Sequence, residues 1–382
     1  MMKLKFNDKL LLITFFTVLL TSLWANNIYL LVMFACATYI LLPFHGWDKV
    51  CSSLLLFSLA YAMMVIMHGN YGSGFILISY VISPVAFYRF GKRLMYIFRD
   101  DTIRQLLFLA IVLCYSLTLF ILTVKDTAVV GVVNISRVML EDAGDSLSLA
   151  ATLYGMMASI GIGCISCIFA KRQPIILRIS FITLALFSVF VVIHLVNRTG
   201  LVVFLSCLIV SMLVVTKQKI SKMIPLVIFL FILGLFLVKY GLINEEILTA
   251  YQNREVSSTS NAYELGGRSD LWSVSLQKLL THPFGWSSVD YAHNLWLDIA
   301  RVGGWLPLFF FILATIAWIK KLLSIINKPT NFILLLFSIN VAMLLASFVE
   351  PVIDASMLFF SIMMMIWGCT VVVSQEKLHA VK

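Results

Sequence analysis

The sequence predicts an all-α polytopic membrane protein with about twelve transmembrane helices. Its 382 residues are 61% hydrophobic and only 12% charged, and the mean hydropathy is +1.01. Apolar runs of roughly 15 to 22 residues follow one another along the chain, close to the length of about 20 that a helix needs to cross a bilayer. Alternating strand patterns are missing from the sequence, and inside lipid only helices and closed barrels satisfy the backbone.

The transmembrane helices are assigned in order from these apolar runs, which polar or charged turns separate. Residues 1–382 are therefore predicted to form one integral membrane domain. The predicted spans are residues 10–24, 28–44, 51–68, 75–91, 106–124, 148–170, 175–196, 200–216, 223–240, 303–319, 331–349 and 356–374.

The distribution of charge predicts the orientation of the chain. With a cytoplasmic N-terminus, 20 of the 28 Lys and Arg residues fall on the cytoplasmic side and 13 of the 18 acidic residues fall outside. This is the positive-inside pattern, so both termini are predicted to be cytoplasmic. The net charge of +10 is explained by this asymmetry, and we predict no nucleic-acid partner. The basic, aromatic segment Tyr88–Gln105 is interpreted as lying on the anionic inner leaflet of the bilayer.

One loop stands apart by its length. Residues 241–302 are predicted to lie outside the membrane, whereas most other connections have fewer than ten residues. Long loops on a rigid scaffold are often functional. The segments "EEILTAYQNREV" and "RSDLWSVSLQKLL" show helical character, and Pro283 ends the second. This loop is therefore predicted to be partly helical and to carry the active site.

The end of this loop, "YAHNLWLDIARVGGW" from Tyr291 to Trp305, is predicted to form an amphipathic helix. At 100° per residue, its polar side chains lie within an arc of about 140° and its apolar ones lie opposite. The polar arc contains His293, Asn294, Asp298 and Arg301. Asp298 and Arg301 fit a helix-stabilising pair at an interface, worth about 0.2 to 0.5 kcal/mol. Neither pairing nor an interface needs an imidazole, so His293 is the candidate for proton transfer.

Several arginines on the predicted outer side are candidates for binding an anion. Arg268 begins a predicted helix behind two glycines, where backbone amides and a guanidinium attract phosphate together. Arg198 fits the same role, although snorkelling to the headgroups explains it equally well. Arg254 is a weaker candidate because a solvated position also explains it. The remaining candidate substrate ligands are Asn294, Arg137 in the loop of residues 125–147, and Arg301.

The sequence lacks the motifs of several other common catalytic chemistries. It contains no Gly-rich phosphate loop, no H-E-x-x-H and no G-x-S-x-G. The acidic residues on the predicted outer side are scattered and lack the D-x-D spacing of a divalent metal site. We therefore predict a reaction that needs neither a metal nor a cofactor.

Four motifs together resemble the bacterial O-antigen polymerase and O-antigen ligase family. They are "NRTGLVVFL" (Asn197–Leu205), "GGRSDLW" (Gly266–Trp272), "HPFGW" (His282–Trp286) and "AHNLWLDIARVGG" (Ala292–Gly304). The resemblance covers roughly residues 181–320, and it rests on the order, spacing and predicted outer location of the motifs.

This resemblance implies a lipid-dependent glycosyltransferase of GT-C-like architecture in the bacterial inner membrane. Such an enzyme is inverting and metal-independent and uses a glycan on undecaprenyl diphosphate, at times with a chain-length regulator as partner. By the same resemblance Arg198 and Arg268 hold the diphosphate and His293 contacts or deprotonates the acceptor hydroxyl. Arg254 is then a secondary ligand of sugar or phosphate. Loop 241–302 is implied to be periplasmic.

Within the family, the motifs favour a polymerase of O-antigen or capsule repeat units over a ligase. Ligases tend to have H-[NSQ], nine residues, and then G-x-x-G. His293, Asn294 and Gly304 fit this pattern, but Pro307 stands where the last glycine belongs. His293 follows Pro283 by only ten positions, which is short for a ligase that accepts a lipid A-core. A ligase remains the alternative.

A twelve-helix transporter is the alternative from another class. Transporters of this size are often built from two repeated halves with polar residues near mid-membrane. No repeat relates the two halves here, the central loop "KRQ" is short, and the ionisable residues gather in one outer loop. The sequence therefore favours an enzyme.

Overall fold

The computed structural model describes residues 5–25, 27–42, 47–69, 73–130, 151–170, 173–195, 197–216, 249, 268–286, 291–327 and 329–381. Within these ranges the regular structure is helical, without a strand. The helices are α1 (Phe6–Ala25), α2 (Ile28–Leu41), α3 (Lys49–His68), α4 (Gly74–Ile97), α5 (Asp101–Val130), α6 (Ala151–Ile162, continued by a 3-10 helix, Gly163–Phe169), α7 (Ile175–His194), α8 (Arg198–Thr216), α9 (Arg268–Thr281), α10 (Leu295–Gly303), α11 (Trp305–Ile325), α12 (Asn331–Val349), α13 (Val352–Ala355) and α14 (Met357–Val381).

The chain is an all-α polytopic membrane protein, as the sequence predicts. In the described part, nine helices are long and apolar enough to cross a membrane, and Ile28–Leu41 and Leu153–Phe169 are shorter apolar helices. The predicted span 223–240 lies outside the described residues, so the number twelve stays a prediction. Many outward-facing side chains are apolar, among them Ile40 and Ile176. Their exposure to water would be unfavourable, and lipid removes that cost.

The centre of the bundle is α14, whose membrane-spanning window is 94% buried. It packs along α4, and the two backbones approach closely at two glycines. A Cβ atom on Gly91 would lie 1.9 Å from the carbonyl oxygen of Met365, and one on Gly368 would lie 2.1 Å from that of Tyr88. Without a hydrophobic drive between helices in lipid, small residues at such crossings allow close packing.

Among the described residues, three ion pairs between helices mark one end of the bundle, called here the basic end. Asp8 of α1 accepts two hydrogen bonds from Arg93 at 2.7 and 2.8 Å. Asp48, the N-cap of α3, pairs with Lys92 at 2.6 Å, and Arg104 pairs with Glu376 at 2.8 Å. These contacts tie the ends of α1, α3, α4, α5 and α14 together.

The basic end corrects our interpretation of Tyr88–Gln105 as a segment on the bilayer surface. Residues up to Ile97 continue α4, and Arg89, Lys92 and Arg104 are buried in the protein. Because carboxylates from other helices pair with Lys92 and Arg104, these cations are used to hold the bundle together.

The opposite end, called the site end, positions the candidate residues. Contacts there join the start of α8, helix α9, the residues just before α10, and the connection between α12 and α14 (residues 350–356). Helix α9 spans Arg268–Thr281, which confirms the helix predicted for "RSDLWSVSLQKLL". The candidate site is therefore built from segments that are far apart in the chain.

Candidate active site

The polar segment before α11 differs from the continuous helix predicted for Tyr291–Trp305. Helix α10 begins only at Leu295. Asn294 is its N-cap, and its side-chain oxygen accepts hydrogen bonds from the backbone amides of Trp296 (3.1 Å) and Leu297 (3.2 Å). His293 therefore precedes the helix, because a side-chain N-cap ends the helical path at the capping residue.

His293 has an unusual backbone conformation. Its φ is +51°, and no other non-glycine residue in the described ranges has a positive φ. For a residue with a Cβ atom this left-handed conformation is strained, and such strain concentrates at functional sites. The conformation needs support from the residues around it.

The backbone on both sides of His293 is held by hydrogen bonds. The carboxylate of Asp298 accepts from the amides of Ala292 (2.7 Å) and Asn294 (3.0 Å). The Trp272 indole of α9 donates to the carbonyl of Ala292 at 2.9 Å. These contacts hold both peptides that flank His293 and so fix the direction of its Cα–Cβ bond.

Asn294 ties the same segment to α12. Its side-chain nitrogen donates to the carbonyl of Phe348 at 3.0 Å. The ring of Phe348 also packs on Trp296, with ring centroids 4.6 Å apart. Asn294, predicted as a substrate ligand, thus has structural partners for both its amide nitrogen and its amide oxygen.

Arg268 and His293 meet at the carboxylate of Glu350. Arg268 Nη2 lies 3.4 Å from each oxygen of Glu350, and His293 Nδ1 lies 3.9 Å from Oε2. The Glu350 side chain is 1% exposed, while those of Arg268 and His293 are 20% and 32% exposed. A buried anion thus lies beneath two partly accessible groups that the sequence analysis singled out independently.

Thr199, the chain neighbour of Arg198, contacts this cluster. Arg268 Nη1 donates to the hydroxyl of Thr199 at 3.1 Å, and Arg198 is exposed at the start of α8. Asn197 orders this turn by accepting the amide of Gly200 at 2.8 Å. The motif "NRTG" therefore places Arg198 one residue away from a contact of Arg268.

Arg301 is buried, contrary to its predicted place on an interfacial helix. Asp298 is 0% and Arg301 is 3% exposed, and the pair lies at 3.6 Å. Arg301 also pairs with Asp354 at 2.8 Å and lies 5.1 Å from the centroid of the Tyr291 ring. The polar arc of α10 thus faces the protein interior, because the α12–α14 connection supplies a carboxylate there.

Burial acts on both carboxylates beside Arg301. It raises the pKa of Asp354 to about 6, although the Arg301 charge opposes this rise. Burial also raises the pKa of Asp298, against the hydrogen bonds from the Ala292 and Asn294 amides and the Arg301 charge. At both positions the loss of hydration on burial raises the pKa by more than the positive charge of Arg301 lowers it.

The motif "HPFGW" docks against the junction of α10 and α11. The amide of Trp286 donates to the carbonyl of Arg301 (2.9 Å), and the amide of Trp305 donates to that of Pro283 (2.9 Å). Gly304, with φ +67°, makes this approach possible, since a Cβ atom there would lie 2.0 Å from the Pro283 oxygen. Two motifs of the family resemblance are therefore in direct contact.

Two candidates, Arg137 and Arg254, lie outside the described residues, as does most of the first part of loop 241–302. Among the described residues, no three His, Cys, Asp or Glu side chains cluster as metal ligands would.

Glu350 and Asp354, which complete the two clusters, were not predicted from the sequence. Both lie in "VEPVIDAS" after the eleventh predicted span, beyond the motifs of the resemblance. Ionisable residues beside membrane spans are often functional, and this signal could have identified both residues. Their partners are far away in the chain, so the sequence offered no way to assign them.

The cluster can support acid–base chemistry next to an anion. An imidazole beside a buried carboxylate can take up a proton, and the carboxylate stabilises the resulting imidazolium. A partly exposed guanidinium can hold a phosphate group in bidentate geometry. Compared with models of known protein families, the sequence matches none, and no curated protein shows significant similarity to it.

Proposed function

We propose that the protein is an inner-membrane polymerase that joins undecaprenyl-diphosphate-linked oligosaccharide repeat units into O-antigen or capsular polysaccharide. The observation that carries this proposal is the convergence of Arg268 and His293 on Glu350. A phosphate-binding cation and a candidate base are the two groups that transfer from a glycosyl diphosphate needs. The motif resemblance supports the same reaction.

In the proposed reaction, the acceptor hydroxyl attacks the anomeric carbon of the donor sugar from the face opposite the diphosphate. His293 takes the hydroxyl proton as the new glycosidic bond forms. The bond between the anomeric carbon and the phosphate oxygen breaks, and its electron pair leaves with the diphosphate. Arg268 stabilises the charge that develops there, with Arg198 beside it. The configuration at the anomeric carbon is inverted, and no metal takes part.

The proposal includes a location and partners. The site end faces the periplasm and both termini face the cytoplasm, in agreement with the charge asymmetry of the sequence. Partners are the lipid-linked glycan, the surrounding bilayer and a chain-length regulator. The second candidate is an O-antigen ligase, because His293, Asn294 and Gly304 fit the ligase pattern. Pro307 departs from that pattern, so polymerase is the first choice.

Deleting the gene in its host and separating the surface glycan on a gel tests the function. A polymerase predicts core that carries a single repeat unit. A ligase predicts bare core with lipid-linked polymer accumulating in the membrane. Surface glycan unchanged in an otherwise competent host would overturn both proposals.

Complementing the deletion strain with point variants tests the site. We expect His293→Ala and Arg268→Ala each to reduce chain formation at least about 100-fold at normal protein abundance. The matched control is His282→Ala, since His282 is exposed and its ring hydrogen-bonds to the end of α9. Wild-type chains from both site variants would refute the site assignment while leaving the family resemblance untouched.

A further inference from the structure

We propose that Glu350 is the positioning residue of His293. Its carboxylate holds the Nδ1–H tautomer of the imidazole and stabilises the protonated ring, which leaves Nε2 to meet the acceptor. The catalytic part of this inference rests on the proposed function. The effect of Glu350 on the ionisation of His293 does not, and can be measured separately.

The burial of Glu350 is the first argument. With 1% of its side chain exposed, a carboxylate is costly unless charged partners and hydrogen bonds compensate it. Its contacts with Arg268, both at 3.4 Å from a single nitrogen, are long for a charge-assisted pair, which normally lies at about 2.7 to 2.9 Å. Glu350 therefore retains capacity to accept from a second donor.

The orientation of His293 supplies that donor. Its Nδ1 atom is buried and has no hydrogen-bond partner among the described residues, so the exposed part of the ring lies elsewhere. Glu350 Oε2 is 3.9 Å from Nδ1, and a shift of about 1 Å brings the two atoms to hydrogen-bond distance. The flanking peptides are held by hydrogen bonds that Asp298 accepts and by one that Trp272 donates, so the backbone presents the ring to Glu350 before any substrate binds.

The other charges around His293 do not replace Glu350. Asp298 lies close enough for the two groups to influence each other electrostatically, but its oxygens already accept two backbone amides and face Arg301. The Tyr291 ring is 6.5 Å from the imidazole, edge to face. Arg268 faces the same carboxylate and opposes protonation of His293. Glu350 is thus the anion nearest to Nδ1 among the contacts of the described residues.

The test is the pH titration of the imidazole signals in detergent-solubilised, histidine-labelled protein, followed by NMR. The chain has six histidines, and His293→Gln identifies the signal of interest. Removing the anion disfavours the imidazolium, so Glu350→Gln should lower the His293 midpoint by about one pH unit. The matched control is Glu376→Gln, which removes an arginine-paired carboxylate at the basic end and should leave the midpoint unchanged. An unchanged midpoint in folded Glu350→Gln protein would overturn the inference.

The rate of glycan transfer against pH gives the catalytic readout. We expect Glu350→Gln to lower kcat about 10- to 100-fold with little change in KM, and to move the acidic limb to lower pH. Glu350→Asp, which keeps the charge, should restore the wild-type position of that limb, a result that a packing role does not produce. Inactive wild-type protein would contradict the proposed function. The NMR titration would then still decide whether Glu350 acts on His293.

Discussion

Two arginine–carboxylate pairs at the site end are built on the same connection between α12 and α14, yet they differ in geometry and exposure. Arg301 lies 2.8 Å from Asp354 and is 3% exposed. Arg268 lies 3.4 Å from Glu350 and is 20% exposed. A tight, buried pair commits both charges to the fold, whereas a longer, accessible pair leaves a cation able to exchange its partner for an anionic ligand.

The difference follows from what surrounds each pair. Arg301 lies between Asp298 of its own helix and Asp354 of the connection, so two anions hold one cation. Glu350 instead faces Arg268 on one side and His293 on the other, so one anion serves two cationic or proton-binding groups. We infer that the first arrangement favours rigidity, whereas the second leaves Arg268 and His293 partly accessible to a ligand.

The largest expected effect is the loss of stability when the Arg301–Asp354 pair is broken. Arg301→Ala leaves two buried carboxylates without their guanidinium and should lower the free energy of unfolding by about 3 to 5 kcal/mol. Thermal unfolding in detergent and abundance in the membrane measure this loss. Arg93→Ala at the basic end leaves only one buried carboxylate, Asp8, without its guanidinium, and the arginine that it removes is 31% exposed, so its cost should be clearly smaller. Equal losses of unfolding free energy in Arg301→Ala and Arg93→Ala would contradict this ranking.

Breaking the Arg268–Glu350 pair should lower activity more than stability. Arg268→Ala should reduce glycan transfer about 100- to 1000-fold, or roughly 2.7 to 4 kcal/mol of transition-state stabilisation, as removal of a fixed donor does in other enzymes. Its loss of stability should be smaller than that of Arg301→Ala, since the lost contact is longer and more exposed. Lys278→Ala on the same helix is the control. Full specific activity of the folded protein, together with a loss of stability as large as that of Arg301→Ala, would reverse the assignment.

The tight pair should also show a pH dependence. The pKa of Asp354 is raised to about 6, above its unfolded value, so protonation of this group stabilises the fold. That contribution is complete below about pH 4 and is lost as the pH rises through about 6. Compared with Asp354→Asn, the wild-type protein should lose on the order of 1 kcal/mol of unfolding free energy between pH 5 and pH 7.5.

Unfolding of both proteins in denaturant at the two pH values measures that difference. Asp8→Asn at the basic end serves as the comparison, because it removes a carboxylate that lies far from Asp354. If the free energy of unfolding depends on pH in the same way in wild type and Asp354→Asn, Asp354 keeps its charge from pH 5 to pH 7.5.

The smallest expected effect concerns the segment that carries His293. Asn294→Ala removes the N-cap of α10 and should cost about 1 kcal/mol of stability. Asn294→Ser keeps a neutral cap acceptor but loses the donor to Phe348, so it should recover most of the stability. If the anchor to α12 also positions His293, Asn294→Ser should remain less active than wild type. Activity equal to wild type would limit Asn294 to capping.

The sequence alone determined the class of the fold and most of its helices. Hydropathy and helical periodicity are properties of neighbouring residues, so span 331–349 coincides with α12 and the helix of "RSDLWSVSLQKLL" with α9. It also singled out Arg268 and His293 as candidates. The helix predicted for Tyr291–Trp305 was wrong at its start, because Asn294 is the N-cap and α10 begins at Leu295.

Only the tertiary structure decided which charges meet. Arg268 and Glu350 are 82 residues apart, and Arg301 and Asp354 are 53 apart. No local pattern encodes such pairs, because they depend on how α9, α10 and the α12–α14 connection pack against one another. The polar arc of α10 could therefore be predicted from its sequence, but its burial could not. Whether that arc faces water or the protein is set by the presence of Asp354 opposite it.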